Sequence, residues 1–178
     1  FYLTCIDFIM LLVADSGFTN CVWIFTDGES QRLSFHTMGF NPFFHNTELI
    51  ESEIRKNTEL TAVAPLVEHV FFYGAGASSA TRNIIIEKAL QAVFTKANVV
   101  VDHDLTGAVY ATCGDEPGIS CILGTGSNSC FFDGKEIHEV VPALGYVLGD
   151  EAGGTFYGKD LLRMFLYKEL PEKIHNGL

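Results

Sequence analysis

Positive charge is scarce in this sequence: 11 Lys and Arg stand against 22 Asp and Glu, a formal net charge of −11. A chain this acidic has no electrostatic footprint for nucleic acid or for an anionic membrane surface. Proline is sparse at five residues while glycine reaches 17, which reads as many tight turns and not as a low-complexity segment. There is no long uninterrupted apolar run. The opening stretch from Phe1 to Ala14 is apolar, but Asp7 interrupts it, Asp15 follows it and no basic residue flanks it. A spanning helix needs about 20 predominantly apolar residues, and a signal peptide needs a positive start. Neither condition is met. Met10 stands just ahead of the first clean strand, so residues 1–9 read as a non-native or upstream leader. The five cysteines, at 5, 21, 113, 121 and 130, form no CxxC and no Cys/His ligand spacing. That usage fits reduced thiols and a cytoplasmic location. Cys121 and Cys130 sit in apolar strand-like runs and are expected to be buried.

What is present is a well-mixed globular composition. Hydrophobic residues make up 48% of the 178 and charged residues 19%, which excludes a disordered chain. The length suits one core, or one domain with part of another. Leu11–Ala14, Asn20–Phe25 and Gln31–Thr37 read as a three-stranded meander, with Asp27-Gly28 as a hairpin signal. Asn46 can cap a helix reaching about Lys56. A strand at Val67–Tyr73 is followed by a helix capped at Ser78 or Ser79 and running to about Lys96. A strand at Asn98–Val101 leads to a helix from Asp104 to Thr112. This alternation implies an α/β fold with parallel pairing. After Gly118 the pattern restarts with Ile119–Leu123, a Gly124-Thr125-Gly126 turn, Ser129–Phe132, and a third strand at Glu136–Val141. A glycine-rich stretch from Gly145 to Gly158 precedes a helix to about Leu170. The second half therefore opens like the first, as a weak internal duplication.

Four stretches could carry chemistry. Asp15-Ser16-Gly17-Phe18-Thr19, between two strands, can aim backbone N–H groups and the Thr19 hydroxyl at a phosphate, and Asp15 can hold Mg²⁺ through water. It could equally be a tight hairpin whose Asp satisfies its own turn. Gly124-Thr125-Gly126-Ser127-Asn128 suits a second phosphate cradle, though many glycine-rich hairpins look alike. Asp102-His103-Asp104 ends a buried strand, where ligands of open α/β sheets bind and where a carboxylate can accept a hydroxyl proton. Asp104 could also be a simple helix cap. Asp150 and Glu151, in a glycine-rich turn before a helix, could hold sugar hydroxyls or only favour the helix N-terminus. The Phe40–Phe44 loop reads as packing, and none of the six His shows ligand spacing.

Taken in order, these pieces resemble the actin-like ATPase and sugar-kinase superfamily. Within it, the chain resembles the N-acetylglucosamine kinase branch of the BadF/BadG/BcrA/BcrD ATPase family, from about Leu11 to Leu178. The resemblance implies two ribonuclease-H-like lobes closing over ATP and sugar, here one N-terminal lobe over 10–115 and the beginning of a second over 116–178. It makes Asp15, Gly17 and Thr19 the first phosphate motif, with Asp15 near Mg²⁺. Gly124, Thr125, Gly126 and Ser127 become the second phosphate motif, Asp104 the base that activates the sugar hydroxyl, and Asn128 and Asp150 sugar contacts.

Three departures stand out. Phe18 and Asn20 occupy places where the family often has Ser and Lys, and loss of a cation there would weaken ATP use. Ala152-Gly153 stands where Gly-Ser is usual. The family also continues for most of another lobe with the adenine pocket, so the chain is expected to be an N-terminal fragment, inactive alone. The expected activity of the intact protein is phosphoryl transfer from MgATP to an amino sugar such as N-acetylglucosamine. Alternatives are an ATPase activator of a radical dehydratase and a non-catalytic sugar-binding protein. The expected partners are a small sugar and a second copy of the chain, without nucleic acid or membrane.

Overall fold

A computed structural model of the chain describes residues 9–29 and 31–177. The leader expected at 1–9 therefore lies, except for residue 9, outside the described residues. The fold divides into two compact units, one running to Gly107 and the other starting at Ala108.

The first unit is a five-stranded sheet. Its strands are β1 (Leu11–Ser16), β2 (Asn20–Thr26), β3 (Arg32–Met38), β4 (His69–Gly74) and β5 (Asn98–His103), in the order β3-β2-β1-β4-β5. β1, β2 and β3 pair antiparallel, while β1, β4 and β5 pair parallel. This is the α/β class expected from the alternation. One row crosses the whole sheet: Phe35, Trp23, Ala14, Phe72 and Val101 lie opposite one another. Small Ala14 beside Trp23 leaves room for the indole, which packs against Phe40, Phe72 and Phe94 with ring centroids 6.0–6.4 Å apart.

Helices α1 (Thr47–Lys56) and α3 (Ala80–Val93) pack on each other and complete this core with Ile50, Ile54, Ile86 and Leu90. Asn46 caps α1 as expected, its carboxamide oxygen accepting the Leu49 N–H at 3.0 Å. A second short helix, α2 (Thr58–Val63), went unforeseen. Only Asn57 separates it from α1, its oxygen accepting the Leu60 N–H at 2.9 Å, and its Thr and Val content hides it from propensity.

The strand ends correct the sequence reading where it matters most. β1 runs on through Asp15 and Ser16, so the first turn is Gly17-Phe18-Thr19 and Asp15 is a strand residue. β5 likewise extends through Asp102 and His103, and α4 (Asp104–Thr112) starts where the sequence placed it.

The second unit opens with β6 (Gly118–Leu123), β7 (Ser127–Phe132) and β8 (Ile137–His138), an antiparallel meander. The strand expected at Glu136–Val141 shrinks to two residues. Continuing the β7 register would set Glu139 opposite Cys130, which is buried, and burying a carboxylate there is costly. Cys121 also departs from expectation. Alternation along β6 points Ser120 inward and leaves Cys121 exposed. The short α5 (Gly145–Leu148) is followed by α6 (Gly154–Leu166) and α7 (Glu172–His175). α6 begins at Gly154, well before the expected point, because its first N–H groups find acceptors: Gly154 donates to the Gly124 carbonyl at 2.8 Å and Thr155 to the Thr125 carbonyl at 3.0 Å. Those are the donors a helix start otherwise leaves unsatisfied. Among the described residues no helix is long and apolar enough to cross a membrane.

Candidate active site

The carboxyl ends of β1, β4 and β5 bring the first set of candidates together. In register, Asp15 lies beside Tyr73 and Tyr73 beside Asp102. Side chains in one row of parallel strands share a face, so the two carboxylates flank Tyr73 on the face opposite the main core. Beyond β1, the Gly17 N–H donates to the Asn20 carbonyl at 3.0 Å, closing the turn. Asp15, Gly17 and Thr19 are all exposed there, as a ligand turn requires.

Two residues that the sequence reading passed over hold this turn in place. A Cβ on Gly39 would stand 2.2 Å from the Gly17 carbonyl oxygen, and the Gly39 N–H donates to the Thr19 carbonyl at 3.0 Å. Only glycine permits that approach. Ser16, fully buried, accepts the Phe40 N–H on its hydroxyl at 2.8 Å. A glycine directly after a strand and before an aromatic loop was the one signal the sequence offered. Phe18 meets Phe44 edge-on at 5.8 Å, and both rings are largely exposed, so the aromatic loop only partly serves as packing.

Asp104 is the first residue of α4. Its Oδ1 accepts the Leu105 N–H at 2.9 Å and lies 3.1 Å from His103 Nε2. Its side chain is 17% exposed. Burial pushes the Asp104 carboxyl above the ordinary carboxylate range, the neighbouring His103 pulls it down, and the Asp15 charge pushes it up again. The Asp15 contribution ties the strand end and the helix start into one electrostatic site.

The second set lies wholly in the other unit. The Gly124 N–H donates to the Gly126 carbonyl at 2.9 Å, and the turn lies against the start of α6. Asp150 packs so closely on Gly126 that a Cβ there would be 2.6 Å from its carboxylate oxygen, and that oxygen accepts the Ser127 N–H at 3.2 Å. Ser127 and Asn128, expected in a turn, are the first residues of β7. Asn128 and Asp150 line one cavity of about 250 Å³ together with Ser127, Leu144 and Glu151. The sequence-predicted sugar contacts are thus neighbours. Asp150 and Ala152 both have left-handed backbones, with φ of 59° and 63°. Glycine at 152 would sit there without strain. Among the described residues, no group of three or more His, Cys, Asp or Glu is placed to hold a metal ion.

No family model matches the chain, and no curated protein does. Solved structures do. A candidate N-acetylglucosamine kinase from Porphyromonas gingivalis superposes with a TM-score of 0.87 at 37% identity, covering 94% of this chain and 60% of that one. The chain has the sugar-kinase fold. A candidate N-acetylglucosamine kinase from Chromobacterium violaceum follows at TM-score 0.67 and 18% identity, covering 89% and 57%. A ROK hexokinase from Thermus thermophilus reaches 0.58 at 17% identity, covering 89% and 65%. At those lower identities the likeness concerns fold alone. It is the ribonuclease-H-like, actin-like ATPase fold that the ordered motifs implied. This chain spans about 60% of the length of the Porphyromonas protein.

Proposed function

We propose that the chain carries the phosphate and sugar contacts of an ATP-dependent kinase acting on an amino sugar such as N-acetylglucosamine. The observation behind this reading is Asp104, a largely buried carboxylate at a strand-to-helix junction whose charge interacts with that of Asp15. A general base needs a proton affinity raised toward the working pH, and burial supplies that here.

The residues fit the ligands they would meet. The Gly17–Thr19 turn offers backbone and hydroxyl donors at an exposed position, and Asp15 beside it can hold Mg²⁺ through water. When bound, the metal neutralises charge on the transferring phosphoryl group. In the other unit, Gly124, Thr125 and Gly126 form the second phosphate cradle. Asp150 already takes the Ser127 N–H, so Ser127 contributes its hydroxyl. Asn128 and Asp150 hold the sugar in their shared cavity, the carboxylate accepting from hydroxyls and the carboxamide N–H₂ donating. Asp104 accepts the proton of the sugar hydroxyl as the hydroxyl oxygen attacks the terminal phosphoryl group of ATP and ADP leaves. The cytoplasm, where ATP is plentiful, is the proposed location, and a homodimer the proposed assembly.

The test is Asp104→Asn in the natural protein, assayed with MgATP and N-acetylglucosamine. Turnover should fall by about 10²–10⁴-fold, while calorimetry still detects sugar binding. Unchanged turnover would reject the assignment. Sugar binding by the wild type with no ATP consumption would instead favour a sensing protein, a reading supported by Phe18 and Asn20, which leave the first turn without a cation of its own.

A further inference from the structure

The kinase reading gives Asp104 the proton but does not say what holds its carboxylate still. A free carboxylate rotates and presents either oxygen. Here the neighbouring His103 and Asp104 side chains are both about four-fifths buried, at 20% and 17% exposed, and His103 Nε2 lies 3.1 Å from Asp104 Oδ1. The Leu105 N–H reaches the same Oδ1 at 2.9 Å. One main-chain donor and one close imidazole nitrogen on the same oxygen restrict the plane of the group. The main-chain N–H comes with the helix start and would be there for any α4. The imidazole is a choice of side chain.

We propose that His103 is a positioning residue for Asp104, its imidazole Nε2 lying 3.1 Å from Oδ1 and holding that side of the carboxylate so that Oδ2 is presented to the sugar hydroxyl. This rests on the reading of Asp104 as the base. Nε2 of His103 can carry a proton in both the neutral and the charged ring. Several charged or titratable groups share the surroundings. Asp102 precedes His103 on β5, and its carboxylate accepts the His103 main-chain N–H at 2.7 Å. Asp15 on β1 acts on Asp104 through its charge. Tyr73 of β4 lies in register with Asp102 and against Gly107 of α4. Misplacement of a reacting group by about 1 Å costs around 100-fold in rate, so an orientation held by one side-chain contact is worth holding.

The experiment compares His103→Leu with His103→Gln. A glutamine carboxamide can place an N–H near the position of imidazole Nε2, and leucine cannot. His103→Leu should lower kcat by about 10–100-fold with the sugar KM nearly unchanged. His103→Gln should recover most of that loss. In both variants the acid limb of the pH profile should move to higher pH, because the imidazole pulls the Asp104 carboxyl down. Equal kcat in His103→Leu and wild type would overturn the proposal, as would a loss that glutamine fails to repair. A second readout needs no turnover: the His103 ring signals, followed by NMR at one fixed pH, in wild type and Asp104→Asn. Removing the carboxylate should move those signals, since the ring loses its 3.1 Å neighbour. Unchanged signals would overturn the contact even if the enzyme is active. Moved signals in a protein without kinase activity would uphold the contact and reject only the kinase reading.

Discussion

The two units treat similar apolar patterns differently. In the first, helices α1 and α3 bury Ile50, Ile54, Ile86 and Leu90 completely against a sheet row that includes Trp23 and Phe72. In the second, α6 is amphipathic much as α1 is, yet none of its residues is buried, and Leu161, Leu162 and Leu166 are 43%, 58% and 67% exposed. Phe132 and Cys130 are among the few side chains of its meander that are enclosed. An apolar stripe states which face of a helix can be buried. Whether a facing layer exists is decided elsewhere, and stability follows the layer.

The sharpest way to break this comparison is to truncate one side chain in each unit. Trp23→Ala should destabilise by about 3–5 kcal/mol, while Leu162→Ala should cost no more than ~0.5 kcal/mol. Urea unfolding followed by circular dichroism measures both, and equal effects would show that the second unit has a core after all. Next in size is Gly39→Ala. Its new methyl meets the Gly17 carbonyl and must push the turn away, at about 1–3 kcal/mol, and sugar-dependent ATP use should drop with it. The corresponding change in the second unit runs the other way. Ala152→Gly relieves a left-handed backbone and should stabilise by about 1 kcal/mol, read as a higher melting temperature.

The smallest expected effect concerns Asp104 and pH. Its folded carboxyl is raised, so the ionised form is disfavoured in the folded state. The cost is absent below the unfolded pKa of about 3.9 and grows as pH rises through the folded value. Asp104→Asn should therefore gain stability near pH 7 and nothing near pH 3, read by urea unfolding at the two pH values. A gain of the same size at both would mean that burial does not act on this charge.

Most of the first unit was legible in the sequence because each of its signals is local. Asn46 capped its helix, Asp104 opened its own, and the three parallel strands showed as apolar runs. What failed to show was where strands stop. Asp15, Ser16, Asp102 and His103 read as turn or solvated residues, but each pairs with a neighbouring strand that local pattern does not name. In the second unit the start of α6 was misplaced because its helix signal comes from carbonyls of Gly124 and Thr125, some thirty residues away. The ordered motifs disclosed the sugar-kinase fold, and the grouping of Asn128 with Asp150 followed them. Gly39, Ser16 and the tie between His103 and Asp104 depend on contacts across the fold or on side-chain placement, which spacing alone does not state.

Gly39 also makes a remote turn part of the site. β2 leaves the Gly17–Thr19 turn, reverses near Gly28, whose φ of 85° suits only a glycine-like backbone, and returns along β3 to deliver Gly39 back to its starting point. The pairing of Asn20 with Met38 at the near end depends on that of Thr26 with Arg32 at the far end. A one-residue insertion or deletion near Gly28 that shifted the pairing would put Met38 or Phe40 where Gly39 belongs, a step of about 3.4 Å. Such a length change would count as a lesion in the Gly17–Thr19 turn, delivered from the opposite end of the sheet.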